Sequence, residues 1–266
     1  MAQAVVQCDD ILVSYRKKRV LGPLSLHVHY GDFWGIVGPN GAGKSTLFKA
    51  IAGLIPIDEG RITILGEQSS PPLWRNSPAS RRHVGVLLQH HDFFPDLPFT
   101  VEDVVMFGRI AQMGLGRRTT DIDRRQVAES LESLGLSDFR KRLYRELSGG
   151  EQRKVHLARL VAQQPEVFLL DEPTAGLDLD WQERLTQLVD DLYRRLGKTI
   201  IMVTHDVDHL PSCCNRVLLL RSGSILASGD TSEVLCSSVL STLYGCTIEV
   251  AQREGRYHAY SLGVKG

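Results

Sequence analysis

An apolar run, Phe33 to Val37, leads directly into Gly38, Pro39, Asn40, Gly41, Ala42, Gly43, Lys44, Ser45 and Thr46, a succession that few folds can accommodate. The stretch fits GxxxxGK[ST], in which glycines let successive backbone N–H groups converge on phosphate oxygens at a helix N-terminus. A strand, a glycine loop and a helix from Lys44 to about Leu54 are therefore predicted. In such a loop Lys44 reaches the β and γ phosphates of a nucleotide and Ser45 reaches Mg²⁺. The bare pattern arises by chance in about one chain in a hundred of this length, so the rest of the chain must support it.

Two later runs do. VFLLDEP from Val167 and TIIMVTHD from Thr199 are short and continuously apolar, with polar chemistry at their C-terminal ends, as expected of buried parallel strands. An amphipathic helix from Leu179 to Arg195 is predicted between them. Before the glycine loop, Val5 to Tyr30 holds alternating runs such as ILVSY and LSLHVHY, parted by RKKR and by Gly22-Pro23, the pattern of a small antiparallel sheet. From about residue 93 to 159 apolar residues recur at three- and four-residue spacing, which predicts a helical insertion. Without a repeat or a long linker, residues 1–266 read as one α/β domain with a short C-terminal extension from about 230 to 266, and Ala251 to Gly266 as a final strand or hairpin.

Lysine plus arginine and aspartate plus glutamate balance at 31 each, which leaves no broad positive field for a nucleic-acid backbone. Nucleic acid is thus not an expected partner, and the clusters around Arg16 and at Arg117 and Arg118 read as solvated turns. Cys8, Cys213, Cys214, Cys236 and Cys246 form no CxxC pair or metal-ligand spacing and are expected as reduced, buried thiols. His27, His29, His90 and His91 likewise carry no ligand spacing that sets them apart from ordinary strand and loop histidines. With no leader-like start and no run of 18 apolar residues, a cytoplasmic location is expected.

After the second apolar strand stand Asp171 and Glu172. Two carboxylates there are, by themselves, no more than a helix cap. In a chain that carries a phosphate loop they become a Mg²⁺ holder, Asp171, and a group acting on water, Glu172. Leu147, Ser148, Gly149, Gly150, Glu151 and Gln152 then spell LSGGEQ, and on this signature the chain resembles the ABC ATPases. The other family elements follow in order: Tyr15 for the adenine-stacking aromatic, Gln89 for the Q-loop, Ala175 to Asp178 for the D-loop and His205 for the switch.

The resemblance, covering Val5 to about Gly229, implies a P-loop NTPase core with a small antiparallel β subdomain and an inserted helical subdomain. It implies ATP and Mg²⁺ as cofactors, with Ser45, Gln89 and Asp171 on the metal. It assigns catalysis to Glu172, His205 and Gln89, and nucleotide contacts to Tyr15, the 38–46 loop, Ser148, Gly149, Gly150 and Asp178. Since Ser148 serves the ATP of a partner, two copies, or one copy and a homologous ATPase, are expected to meet head to tail. A separate integral membrane permease is the implied partner, joined for importers by a substrate-binding protein, and would hold the chain on the inner face of the membrane. The permease would dock in the cleft between Gln89 and the helical arm, beside His90 to Pro98. The spans VEDVVMFGR and LSTLYGCTIEV look like those of importer ATPases for iron chelates, cobalamin or divalent metals. An export ATPase or a soluble cofactor-assembly ATPase would carry the same motifs.

Overall fold

Two twelve-residue strands, β1 (Ala4–Tyr15) and β2 (Lys18–His29), begin a computed structural model that describes residues 4–16, 18–68, 82–89, 97–114 and 116–262. They pair antiparallel, and with β4 (Glu59–Ile64) and β5 (Glu67–Gln68) form a sheet of order β2-β1-β4-β5. The expected break at Gly22-Pro23 does not occur. The register slips there, from Ile11 opposite Leu24 to Val13 opposite Leu21, and this bulge absorbs the proline without ending the strand.

The second sheet has six strands in the order β10-β9-β3-β8-β7-β6. It contains β3 (Phe33–Val37), β6 (Val84–Leu87), β7 (Val167–Asp171), β8 (Thr199–Thr204) and β9 (Arg216–Arg221), all parallel, with β10 (Ser224–Asp230) antiparallel at one edge. Both faces are covered, which is why β3, β7 and β8 read as unbroken apolar runs. Val167 and Leu169 face one core, shared with α1 (Lys44–Ile51) and the antiparallel sheet. Phe168 and Leu170 face the other, shared with the helical subdomain and α5 (Leu179–Leu196).

The helical subdomain comprises α2 (Val101–Met113), α3 (Asp121–Ser133) and α4 (Gly149–Gln163). Each begins with a capping box, on Thr100, Thr120 and Ser148, so local sequence fixes where each helix starts. A buried ion pair, Arg109 to Asp123 at 3.0 Å, ties α2 to α3. The insertion runs on to Gln163, past the expected residue 159.

After β10 come α6 (Thr231–Val234), α7 (Ser237–Tyr244) and a hairpin of β11 (Ile248–Arg253) and β12 (Arg256–Ser261). The hairpin matches the expected form but starts earlier than Ala251. The cysteines are all free, yet only Cys8 and Cys214 are buried. Burial pushes both thiols up to about 12. Cys213, Cys236 and Cys246 are half-buried, contrary to expectation, because a surface turn and the C-terminal extension carry them. Among the described residues no helix is long and apolar enough to cross a membrane.

Candidate functional site

The carboxyl ends of β3, β7 and β8 converge, and the chemistry gathers there. Gly43 caps α1 with φ 103, a left-handed conformation that an L side chain rarely adopts. No side chain caps this helix and no acidic residue lies in its first turn. The amides of its first turn, left without intrahelical acceptors, therefore point outward as an anion site. Lys44 is buried and its Nζ donates to the carbonyls of Gly38 at 2.7 Å and Pro39 at 3.1 Å. Burial lowers its pKa, while the carboxylates of Glu172 and Asp171 raise it in part.

A cleft of about 260 Å³ opens over this turn, lined by Val20, Asn40 to Thr46, Gln89 and Glu172. A larger one, about 500 Å³, lies between the helical subdomain and the end of α5, but Gln112, Gln126, Glu129 and Lys198 line it and none of its described lining residues belongs to the first turn of a helix. Chemistry therefore favours the smaller cleft.

Glu172 leaves the end of β7 with φ 43, a backbone region costly for glutamate and concentrated at functional sites. Its N–H donates to the Val203 carbonyl of β8 at 2.9 Å, which locks the turn. Gln89 Nε2 donates to Glu172 Oε2 at 3.0 Å, and His205 Nδ1 lies 3.4 Å from Oε1. Three chain segments thus meet on one carboxylate.

Asp171 is 4% exposed and its Oδ1 has no hydrogen-bond partner. A buried carboxylate oxygen with no donor is poorly placed except as a ligand for a hard cation, so the residues present fit Mg²⁺. Burial first, and the Glu172 carboxylate second, push the Asp171 carboxyl up to about 6 from an ordinary 3.8. Its ionisation is thus penalised in the folded chain. The penalty is absent below about pH 3, where folded and unfolded forms are both protonated, and complete above about pH 7. Without metal or nucleotide, Asp171→Asn is expected to stabilise the chain by about 1–2 kcal/mol at pH 8 and by a small fraction of that at pH 4. Thermal denaturation at the two pH values checks this; equal shifts would mean that Asp171 ionisation is not the cause.

The signature residues lie elsewhere. Ser148 is the N-cap of α4, and the Glu151 carboxylate accepts from its N–H at 2.7 Å and from its hydroxyl at 2.8 Å. These bonds hold the Glu151 carboxyl below its ordinary value. A helix does start at Ser148, where a second phosphate site is expected, and its cap is occupied by a carboxylate of the same chain. Asp178 caps α5, accepting from the Trp181 N–H at 2.9 Å. Ser148, Gly149, Gly150 and Asp178 do not line the phosphate-loop cleft. Tyr15 stands exposed at the β1–β2 turn, and Val20, a few residues on, lines the cleft. Of the expected docking segment, His90 to Asp96 lie outside the described residues.

Three contacts have no motif to announce them. Arg153, one turn into α4, donates to the carbonyls of Leu88, at 3.0 Å, and Gln89. A Cβ on Gly150 would come within 2.2 Å of the Trp181 ring, whereas one on Gly149 would meet nothing within 4 Å. Gly150→Ala is therefore expected to cost about 1–3 kcal/mol through overpacking, and Gly149→Ala under about 0.5 kcal/mol. Chemical denaturation of both variants tests the distinction, and equal losses would refute it. The third contact joins Tyr244 to the His205 carbonyl at 3.1 Å.

Against this geometry stand the likenesses to known proteins. The sequence profile of the family described as ABC transporter matches residues 21–175. The chain is 36% identical over 240 residues to the manganese transport system ATP-binding protein MntB of Bacillus subtilis (strain 168), covering 90% of this chain and 92% of that protein. It is 35% identical over 240 residues to the zinc transport system ATP-binding protein TroB of Treponema pallidum (strain Nichols), covering 90% and 86%. A solved metal-chelate type ABC transporter in an inward-facing conformation shares the fold, with a TM-score of 0.82, 24% identity and 98% of each chain covered.

Proposed function

The chain belongs to the ABC transporter family as an ATP-binding, ATP-hydrolysing subunit, and from that premise we propose that two copies close head to tail around two ATP molecules to drive metal import through a separate permease. The observation that carries the reading is the meeting of Lys44, Asp171, Glu172, Gln89 and His205 at one end of the parallel sheet. The α1 amides and Lys44 take the β and γ phosphates, and Tyr15 stacks on adenine. Ser45, Gln89 and Asp171 would hold Mg²⁺, which neutralises charge on the phosphates. Glu172 accepts the proton of the attacking water, steered by the amide of Gln89. His205 binds the γ phosphate.

Pairing is supported by the placement of Ser148, Gly149, Gly150 and Asp178 away from the cleft, since a chain with one copy of each motif completes its site only with a second chain. The γ phosphate gives contacts to both chains that ADP lacks, so ATP favours the closed pair. The cargo reading, a divalent metal ion or metal chelate delivered by a substrate-binding protein, rests on the relatives named for manganese and zinc transport. It places the chain on the cytoplasmic face of the membrane, held there by its permease.

The test is uptake. Native cells carrying only Lys44→Ala are expected to lose uptake of one of manganese, zinc or chelated iron, tracked by radiolabel, with efflux unchanged. Normal uptake of all three would overturn the cargo, and lost efflux would reverse the direction.

A further inference from the structure

The C-terminal extension reaches back across the core to the segment that carries His205. At the end of α7 the Tyr244 hydroxyl donates to the His205 carbonyl at 3.1 Å, 39 residues away in sequence. At the start of β12 the Arg256 guanidinium donates from Nη1 to both carboxylate oxygens of Glu183, each at 2.6 Å, and from Nη2 to the Asp208 carbonyl at 2.7 Å. The Asp208 carboxylate accepts from the Ala259 N–H at 2.9 Å and lies 3.3 Å from His258 Nδ1. Asp208 belongs to the short 3₁₀ turn Val207–His209, separated from His205 only by Asp206, its N-cap.

Among the described residues nothing comparable holds the His205 ring itself. Its side chain is 45% exposed. Among the described residues its recorded ring contacts are Glu172, at 3.4 Å, and an edge-on approach to His209 with centroids 6.2 Å apart. Where the imidazole sits is therefore set by its backbone, and the backbone is held by Tyr244 directly and by Arg256 through Asp208. Glu183, the other partner of Arg256, lies in α5, the helix capped by Asp178. One hairpin thus bridges the switch segment and the D-loop helix.

We propose that Tyr244 and Arg256 are positioning residues for ATP hydrolysis, fixing the His205 segment and coupling it to the helix that begins at Asp178. This rests on the reading that His205 contacts the γ phosphate. Burial, with the Asp206 and Asp208 carboxylates adding to it, pushes the Tyr244 phenol up to about 12. The hydroxyl therefore stays a donor across the working range. A tail that only added stability would have no reason to converge on the carbonyls of His205 and Asp208.

Steady-state turnover of the full chain, with Tyr244→Phe and Arg256→Met alone and in a His205→Ala background, tests the assignment. Each single variant is expected to lower kcat about five- to tenfold, with KM for Mg²⁺-ATP and the melting temperature near wild type. In the His205→Ala background Tyr244→Phe should have no further effect, because the residue acts through His205. Unchanged kcat in both single variants would overturn the proposal. So would the same fold-loss in the His205→Ala background, or parallel changes of kcat and KM. Wild-type turnover in His205→Ala alone would remove the reading of His205 and this proposal with it, a result distinguishable from the other three.

Discussion

Replacing Glu172 by glutamine should lower ATP turnover by about a hundredfold or more while leaving nucleotide binding intact. Glutamine keeps the size of the side chain and an oxygen that can accept from Gln89 Nε2. It tolerates φ 43 no better and no worse than glutamate, so the fold is not perturbed. What it lacks is the ability to take a proton from water. The buried Lys44 and the amides of α1, to which the proposal gives the phosphates, are untouched. Turnover measured beside titration with a fluorescent ATP analogue separates the two effects. Near wild-type hydrolysis would remove Glu172 as the proton acceptor. The same variant should accumulate as a closed pair with ATP and not with ADP, visible by size-exclusion chromatography.

Mixing two dead variants should restore activity. Lys44→Ala removes the ammonium to which the proposal gives the phosphates, and Ser148→Arg places a long side chain at the exposed start of α4. Each should reduce turnover to about one per cent of wild type or less. In a mixed pair, one composite site combines both defects and the other has neither. Random pairing of equal amounts makes half the pairs mixed, so about a quarter of all sites are intact and about a quarter of wild-type turnover should return. Failure to recover would show that Lys44 and Ser148 do not serve one site across two chains. Ser148 is solvent-facing and gives up only its cap, at about 1 kcal/mol, so the single variant should still fold.

What the sequence made legible was whatever is contiguous in it. The glycine loop, the carboxylates after β7 and LSGGEQ are each local runs whose chemistry follows from the residues alone, and each lies at the strand or helix end expected. The S-x-x-E spacing of Ser148 and Glu151 is also the signature of a capping box, which the structure shows. Gly22-Pro23 misled because a bulge depends on the register of the opposing strand, which one strand does not reveal. Arg153 sits 64 residues from the carbonyl of Gln89 and Tyr244 39 residues from that of His205. Only packing brings such groups together. The contact of Gly150 with Trp181 is of the same kind, a signature glycine that looks reserved for a ligand and also gives room to an indole ring.

The grip of Arg153 on the backbone at Leu88 and Gln89 gives the helical subdomain a direct hold on the segment that reaches Glu172. Its guanidinium rides on α4, and the side chain of Gln89 touches Glu172. Any tilt of that subdomain must either shear these hydrogen bonds or draw the amide off the carboxylate. Two hydrogen bonds thus separate α4 from the one carboxylate on which Gln89 and His205 meet, a linkage shorter than the sequence distance between these residues would suggest.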